Sequence, residues 1–199
     1  MHIVELYPYF PLTDGGIGIN KFTLSLLIFL ILMLSSGIGM ASEIIVQPGD
    51  SIQTAVNSAG TGDVIIVKPG TYTENVKVTV HNLVIKSESE NPVNTIITAK
   101  DPALDVFNVE SSKVTISGFK IMGSEVSSGI RLNQCKNCTI ENNRLLSNFF
   151  GIYLKNSENN YIRNNLIGKS DRGIIIDQSH YNTISENRAS KNRYGIYLP

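Results

Sequence analysis

Along the last third of the chain, apolar and polar positions alternate in short bursts that restart every 22 residues. Each burst opens on a glycine, Gly129, Gly151, Gly173 or Gly195, and continues with Ile130 and Leu132, Ile152 and Leu154, Ile174 and Ile176, or Ile196 and Leu198. A period of two places these side chains on one face of a strand, so each glycine is followed by a strand with one buried side. A further apolar position, Ile140, Ile162 or Ile184, is preceded by Thr or Tyr and predicts a second short strand. Asn143, Asn165 and Asn187 come three residues later. Asparagine tolerates left-handed backbone and bonds its own neighbourhood, so this residue predicts a tight turn whose amides stack as a ladder. Leu145, Ile167 and Ala189 begin a third strand before a variable polar loop leads to the next glycine.

A unit of this length cannot bury its own apolar face and has to stack on its neighbours. Three strands per unit, each lying over its equivalent, predict an all-β fold. It is a right-handed parallel β-helix, a solenoid of about 22 residues per coil with coils about 4.8 Å apart. Weaker units precede the clear ones: SSKVTISGFKI places Ile116 and Ile121 where Ile140 and Leu145 sit, and HNLVIKS places Ile85 likewise. About five or six coils are expected, more than the roughly three that stacked repeats need.

Upstream, IIVQPGDSIQTAVNSAGTGDVIIVKPGTYTENV reads strand, turn, short helix, turn, strand. Asp50 is the expected N-cap of the helix, with Gln53 completing a capping box; Ile52, Ala55, Val56 and Ala59 form one apolar face, and Gly60 ends it. This short N-terminal helix is expected to plug the open end of the solenoid, and Val64 to Val67 to form the next strand. Residues 22–41 are uncharged and rich in Leu, Ile, Phe and Met, which predicts a signal peptide or membrane anchor and hence a secreted or cell-surface protein. Residues 1–21 form an N-terminal extension whose Glu5 and Asp14 are foreign to an export leader, as a miscalled start would leave them. Residues 42–199 form the β-helix domain. The sequence stops at GIYLP, one strand into a new coil, so an incomplete helix with an open, self-associating last coil is expected.

Composition changes this picture little. The 199 residues carry 17 basic and 17 acidic side chains, so no polybasic stretch marks the chain for nucleic acid. Two cysteines, Cys135 and Cys138, are too few for a disulfide framework.

The run QPGDSIQTAVNSAGTGDVIIVKPGTYTENV resembles the opening of pectin-lyase-like β-helix proteins, and the G-I-x-L…I…N units resemble the repeats of NosD-like envelope proteins. The resemblance covers about residues 44–199. It implies an exported scaffold used by carbohydrate-binding proteins, sugar hydrolases and lyases, and prokaryotic surface proteins. It also implies a ligand groove along the outer face of one sheet, and for the NosD-like group a link to copper. A scaffold with so many uses does not fix the activity.

The outward positions of the strand after each glycine form two rows: Arg131, Tyr153, Ile175 and Tyr197, then Asn133, Lys155 and Asp177. Tyrosines can lie against sugar rings while Arg131, Asn133, Lys155 and Asp177 bond hydroxyls or pair with uronate carboxylates. The same pattern also suits ordinary exposed strands, with Lys155 and Asp177 as a cross-strand pair. A glycoside hydrolase needs two facing carboxylates, and Asp177 is the one this face offers. A lyase needs a base, which Arg131 or Lys155 can supply, and often calcium-binding carboxylates, which are missing. Cys135 and Cys138 occupy the places of Ser157 and Asn160 in the next unit and read as small turn residues, so no metal or other cofactor is expected. Asn137-Cys138-Thr139 fits a glycosylation sequon. The expected function is binding of polysaccharide or envelope glycan, or surface contact, without catalysis. A polysaccharide lyase or hydrolase is the alternative, and a NosD-like factor for copper-enzyme maturation a further one.

Overall fold

The computed structural model describes residues 41–89 and 91–199. The extension at 1–21 and the export segment at 22–41, its last residue excepted, lie outside the described residues. Three parallel sheets wind around one apolar interior, and the chain visits them in the same order in each coil. Sheet A has seven strands, running from Glu43–Val46 to Thr183–Ser185; sheet B has six, from Gly70–Thr73 to Arg188–Ser190; sheet C has six, from Val76–Val78 to Tyr194–Tyr197. The solenoid therefore has about seven turns, where five or six were expected. The early coils were undercounted because their loops differ in length and break the 22-residue spacing.

The interior is built as columns. In sheet A, Ile44, Ile65, Ile85, Ile116, Ile140, Ile162 and Ile184 lie one above another. In sheet B the equivalent column is Tyr72, Ile97, Ile121, Leu145, Ile167 and Ala189. Sequence distance of one unit thus becomes vertical adjacency, and Ile65, Ile85, Ile116, Ile140 and Ile162 are fully buried. Gly151 marks the entry to sheet C because the chain there runs against its own interior: a Cβ on it would overlap Ile167 and the carbonyl oxygen of Gly173.

Corners carry the polar groups. Between sheets A and B, Asn165 Oδ1 accepts from the backbone N–H of Asn143 at 3.0 Å, and Asn187 Oδ1 accepts from that of Asn165 at 3.0 Å. Asn165 Nδ2 in turn donates to the carbonyl of Ile140 at 2.8 Å, so each amide satisfies main-chain groups of the coil beside it. The ladder is as expected, but the left-handed residue is the preceding one, Asn142, Asn164 or Glu186, with φ between 53° and 56°. The turn strain falls on an exposed side chain, while the Asn after it faces inward. Equivalent ladders occupy the other two corners, through Asn160 and Asn182 and through Asn148 and Asn192.

Helix α1 (Ile52–Ser58) covers the first coil with Ile52, Ala55 and Val56 buried. Its cap differs from the expectation. Ser51, not Asp50, is the N-cap and accepts from Thr54 N–H at 3.1 Å. Glu74, from the chain between sheets B and C, takes the N–H groups of Ile52 at 2.9 Å and Gln53 at 3.0 Å. Asp50 instead accepts from Gln47 N–H, and Gln53 bonds both backbone groups of Lys77. A local capping box is replaced by long-range partners because the helix lies flat on the coil below, which brings a carboxylate to its N-terminus.

Candidate functional site

Sheet C has the longest strands, six residues each at Ser128–Asn133, Phe150–Lys155 and Arg172–Asp177, and therefore the widest outer face. Alternation gives two outward rows, and a break in it at each glycine adds a third. The middle row runs Lys77, Asn108, Arg131, Tyr153, Ile175, Tyr197, and the row beyond it places Asn133, Lys155 and Asp177 side by side. Both rows read from the sequence are thus real neighbours. A third row precedes the glycines, with Phe150, Arg172 and Tyr194 stacked on a fully buried Ser128. It was missed because the strand was started at the glycine. The 22-residue spacing was the only signal, since these residues have the parity of the inward Ile130 and Leu132 and the alternation breaks at the glycine.

Side chains on this face are interlocked. The Arg131 guanidinium lies 4.8 Å from the Tyr153 ring centroid, and its Nε is 3.1 Å from Asp105 Oδ2. The Tyr153 hydroxyl donates to Asp177 Oδ2 at 2.7 Å, and the edge of Phe150 meets its ring at 5.7 Å. Burial, followed by the hydrogen bond to Asp177 and the Asp177 charge, pushes the Tyr153 hydroxyl above its usual pKa. One coil further on, Arg172 lies over Phe150 at 5.3 Å, Tyr197 at 4.7 Å and Tyr194 at 5.8 Å, and Asp171 Oδ2 holds its Nη1 at 3.2 Å. The result is a patchwork of aromatic rings and guanidinium planes, which cation–π contact holds in fixed orientation.

Two expectations need correction here. Ile175 is only 4% exposed, lying in register between Tyr153 and Tyr197, so it supports the tyrosines from below and is no part of the exposed row. Lys155 and Asp177 are register partners but form no ion pair, because Asp177 accepts the Tyr153 hydroxyl instead. The sequence also showed one carboxylate where the structure brings four, among them Glu110, which pairs with Lys77 and accepts from Asn108. Asp105 and Asp171 reach this face from the loops before their strands, where chain spacing could not align them. Asp105 is held by Arg131 and by Ser128 N–H, and Asp171 by Arg172 and Arg193. All four carboxylates therefore already serve a donor or cation, which suits positioning better than proton transfer.

At one end of the face, Asn75, Val76, Lys77, Leu104, Asp105 and Asn108 enclose a hollow of about 180 Å³. Two larger hollows, about 470 Å³ beside α1 and about 530 Å³ beneath Asn91 to Val93, lie off this face. They lack the row of rings, so volume alone does not select them.

Residues 56–199 match the family described as periplasmic copper-binding protein (NosD). The chain belongs to the NosD family. A cell surface glycoprotein of Methanothermus fervidus is 34% identical over 136 residues, covering 65% of this chain and 22% of that protein. The chain thus spans about a fifth of that relative's length. The crystal structure of an alginate lyase from Paenibacillus sp. str. FPU-7 superposes with a TM-score of 0.64 at 20% identity, over 73% of this chain and 57% of that one. Escherichia coli ybhc superposes with a TM-score of 0.52 at 15% identity, over 69% and 55%. At these identities the two structures are likenesses of fold: this NosD-family chain is a pectin-lyase-like parallel β-helix. The family and the M. fervidus relative are both described as extracytoplasmic proteins.

The donors present do not suit the copper that the family's description implies. Cys135 and Cys138 are both 0% exposed, and their sulfurs donate to the carbonyls of Val109 at 3.0 Å and Ser111 at 3.4 Å. The hydrogen bond between the two thiols pushes Cys135 up and Cys138 down, so the pair shares a proton and does not offer two thiolates to a metal. Among the described residues no three His, Cys, Asp or Glu side chains gather into a metal-binding group. This donor set does not fit a resident copper ion, and the cysteines serve as ladder residues in the places of Ser157 and Asn160.

Proposed function

We propose that this chain is an extracytoplasmic β-helix module of the cell surface that binds a glycan along the outer face of sheet C without transforming it. The observation that carries this reading is the ordered patchwork of Tyr153, Phe150, Tyr194 and Tyr197 with Arg131 and Arg172 between them. Rings held in place lose little entropy on binding and offer an apolar body to the C–H face of a sugar. Asn133 and Lys155 along one edge can bond hydroxyls or a uronate carboxylate. The engagement of all four carboxylates supports binding over hydrolysis, which needs a carboxyl free to give its proton. The surface location of the M. fervidus relative and the polysaccharide-cleaving activity of the alginate lyase agree with this reading.

A glycan array on the full chain, followed by titration of the best oligosaccharide, tests the proposal. Tyr153→Ala and Tyr197→Ala should each weaken binding about tenfold, the loss of roughly one stacked ring. Incubation with alginate and polygalacturonate while following absorbance of unsaturated uronate should give no signal. Turnover that disappears in Lys155→Ala or Arg131→Ala would replace binding with a lyase.

A further inference from the structure

We propose that the outer face of sheet B is a second binding surface, for an acidic polysaccharide whose carboxylate or sulfate groups repeat along the solenoid axis. Among the described residues, ion pairs use side chains from sheets A and C and the loops and corners that border them, and none from a strand of sheet B. Sheet B nonetheless carries cations. Lys120, Arg144 and Arg188 share one outward row, with Lys120 directly beneath Arg144 and only Leu166 between Arg144 and Arg188. Lys169 and Lys191 stand on consecutive coils at the turn leaving this sheet, where the Lys169 N–H donates to the Lys191 carbonyl at 3.2 Å.

None of the outward positions on these strands holds a carboxylate. Glu186, two residues before Arg188, is at the corner and makes no ion pair with it. Among the described residues Arg144 Nε, out of water, has no hydrogen-bond partner, and unlike Arg131 and Arg172 of sheet C its guanidinium has no carboxylate within ion-pair distance. Like charges stacked on adjacent strands repel, so a face of this kind costs stability until an anion neutralises it.

Shape agrees with charge. A groove of about 300 Å³ runs between Arg144 and Arg188 on one side and Lys169 and Lys191 on the other. Its floor is open because Gly168 stands in the row of Met122 and Leu146, and Ser190 follows it. Cations stand on four consecutive coils about 4.8 Å apart: Lys120, then Arg144, then Lys169 where Leu166 interrupts the row, then Arg188 and Lys191. An acidic glycan can therefore present a charge at each coil. Single-stranded nucleic acid would have the charge but needs aromatic platforms for its bases, and this face has none. The inference is independent of the proposed role of sheet C.

Binding of the full chain to alginate, polygalacturonate and chondroitin sulfate is compared with binding to dextran and to poly-dT at several salt concentrations. The acidic glycans should bind, raise the melting temperature, and weaken as salt rises, because binding releases their counterions. Arg144→Gln with Arg188→Gln should weaken binding at least about tenfold. Lys169→Gln with Lys191→Gln should do the same while leaving the fold intact, since Gln134 and Gln178 already hold left-handed positions in this chain. Tyr153→Ala should leave acidic-glycan binding on sheet B unchanged. The proposal is overturned if acidic glycans fail to bind at low salt, if both sheet B variants bind as the parent does, if only Tyr153→Ala loses binding, or if poly-dT binds as tightly as the glycans.

Discussion

Sheets B and C are two walls of one coil, built at the same spacing on the same interior, yet their outer faces have opposite chemistry. On sheet C each arginine lies over a ring and against a carboxylate. On sheet B the cations border a groove floored by small residues and form no ion pair among the described residues. What the two walls share is fixed by packing: columns of isoleucine inside and ladders of asparagine at the corners. What separates them lies at positions the fold leaves free, because an outward side chain on a parallel coil touches mainly its neighbours one unit away. In a solenoid, function is therefore written in the outward rows, and each row can be changed without redrawing the coil.

The largest effect tests the shared part. Ile162 lies in the fully buried column of sheet A with Ile140 below and Ile184 above. Ile162→Ala should cost about 2 to 5 kcal/mol, since coils on both sides prevent the cavity from collapsing. Both faces should lose their ligands together as the chain unfolds in urea. A loss on one face alone would mean that the walls are not built on a common interior.

Next comes the corner ladder. Asn165→Ala leaves the Asn143 N–H and the Ile140 carbonyl without their partners, at a cost of about 1 to 3 kcal/mol. Hydrogen exchange should show the effect first at the corner between sheets A and B, and so beneath the basic groove, with sheet C following only on global unfolding. Uniform loss of protection would show that the ladder supports the whole coil and does not favour one wall.

These interior features were the most legible in the sequence. The 22-residue spacing of Ile140, Ile162 and Ile184 became a column, and Asn143, Asn165 and Asn187 a ladder, because inward residues must repeat if coils are to stack. The early coils were harder to read. Their column residues Ile65, Ile85, Ile116 and Ile140 are separated by 20, 31 and 24 residues, since loops of unequal length lie between them. The helix cap was misplaced for a similar reason, because Glu74 reaches the N-terminus of α1 from outside any local motif. On sheet C the rows of Arg131 and Asn133 were readable, but Asp105 and Asp171 come from loops whose position no period fixes. The basic row of sheet B is invisible as a charge run because Lys120, Arg144 and Arg188 are 24 and 44 residues apart along the chain.

Smaller in stability, but sharper for the comparison, is Tyr153→Ala. The residue is half-buried and outward, so its removal should cost about 1 kcal/mol through the lost contacts with Phe150 and Arg131. Thermal unfolding should hardly change, while glycan binding on sheet C weakens and acidic-glycan binding on sheet B does not. A destabilisation equal to that of Ile162→Ala would contradict the division between inward columns and outward rows.

The smallest expected effect is a pH dependence confined to sheet C. Burial raises the Tyr153 hydroxyl's pKa in the folded chain, and its hydrogen bond to Asp177 adds to the shift. The unfolded chain ionises its tyrosine first, near pH 10, so the stabilisation from Tyr153 is whole below that pH and lost as pH rises toward the folded value. Tyr153→Phe keeps the ring over which Arg131 lies and removes only the titrating hydroxyl. The stability difference between parent and Tyr153→Phe should therefore be constant from pH 7 to about 10 and shrink above it, as read from urea unfolding at each pH. Because the substitution leaves every sheet B side chain in place, that difference reports the buried hydroxyl and its hydrogen bond together. A gap that stays constant through pH 11 would mean that the Tyr153 hydroxyl titrates alike in the folded and unfolded chains, and that Asp177 does not hold it.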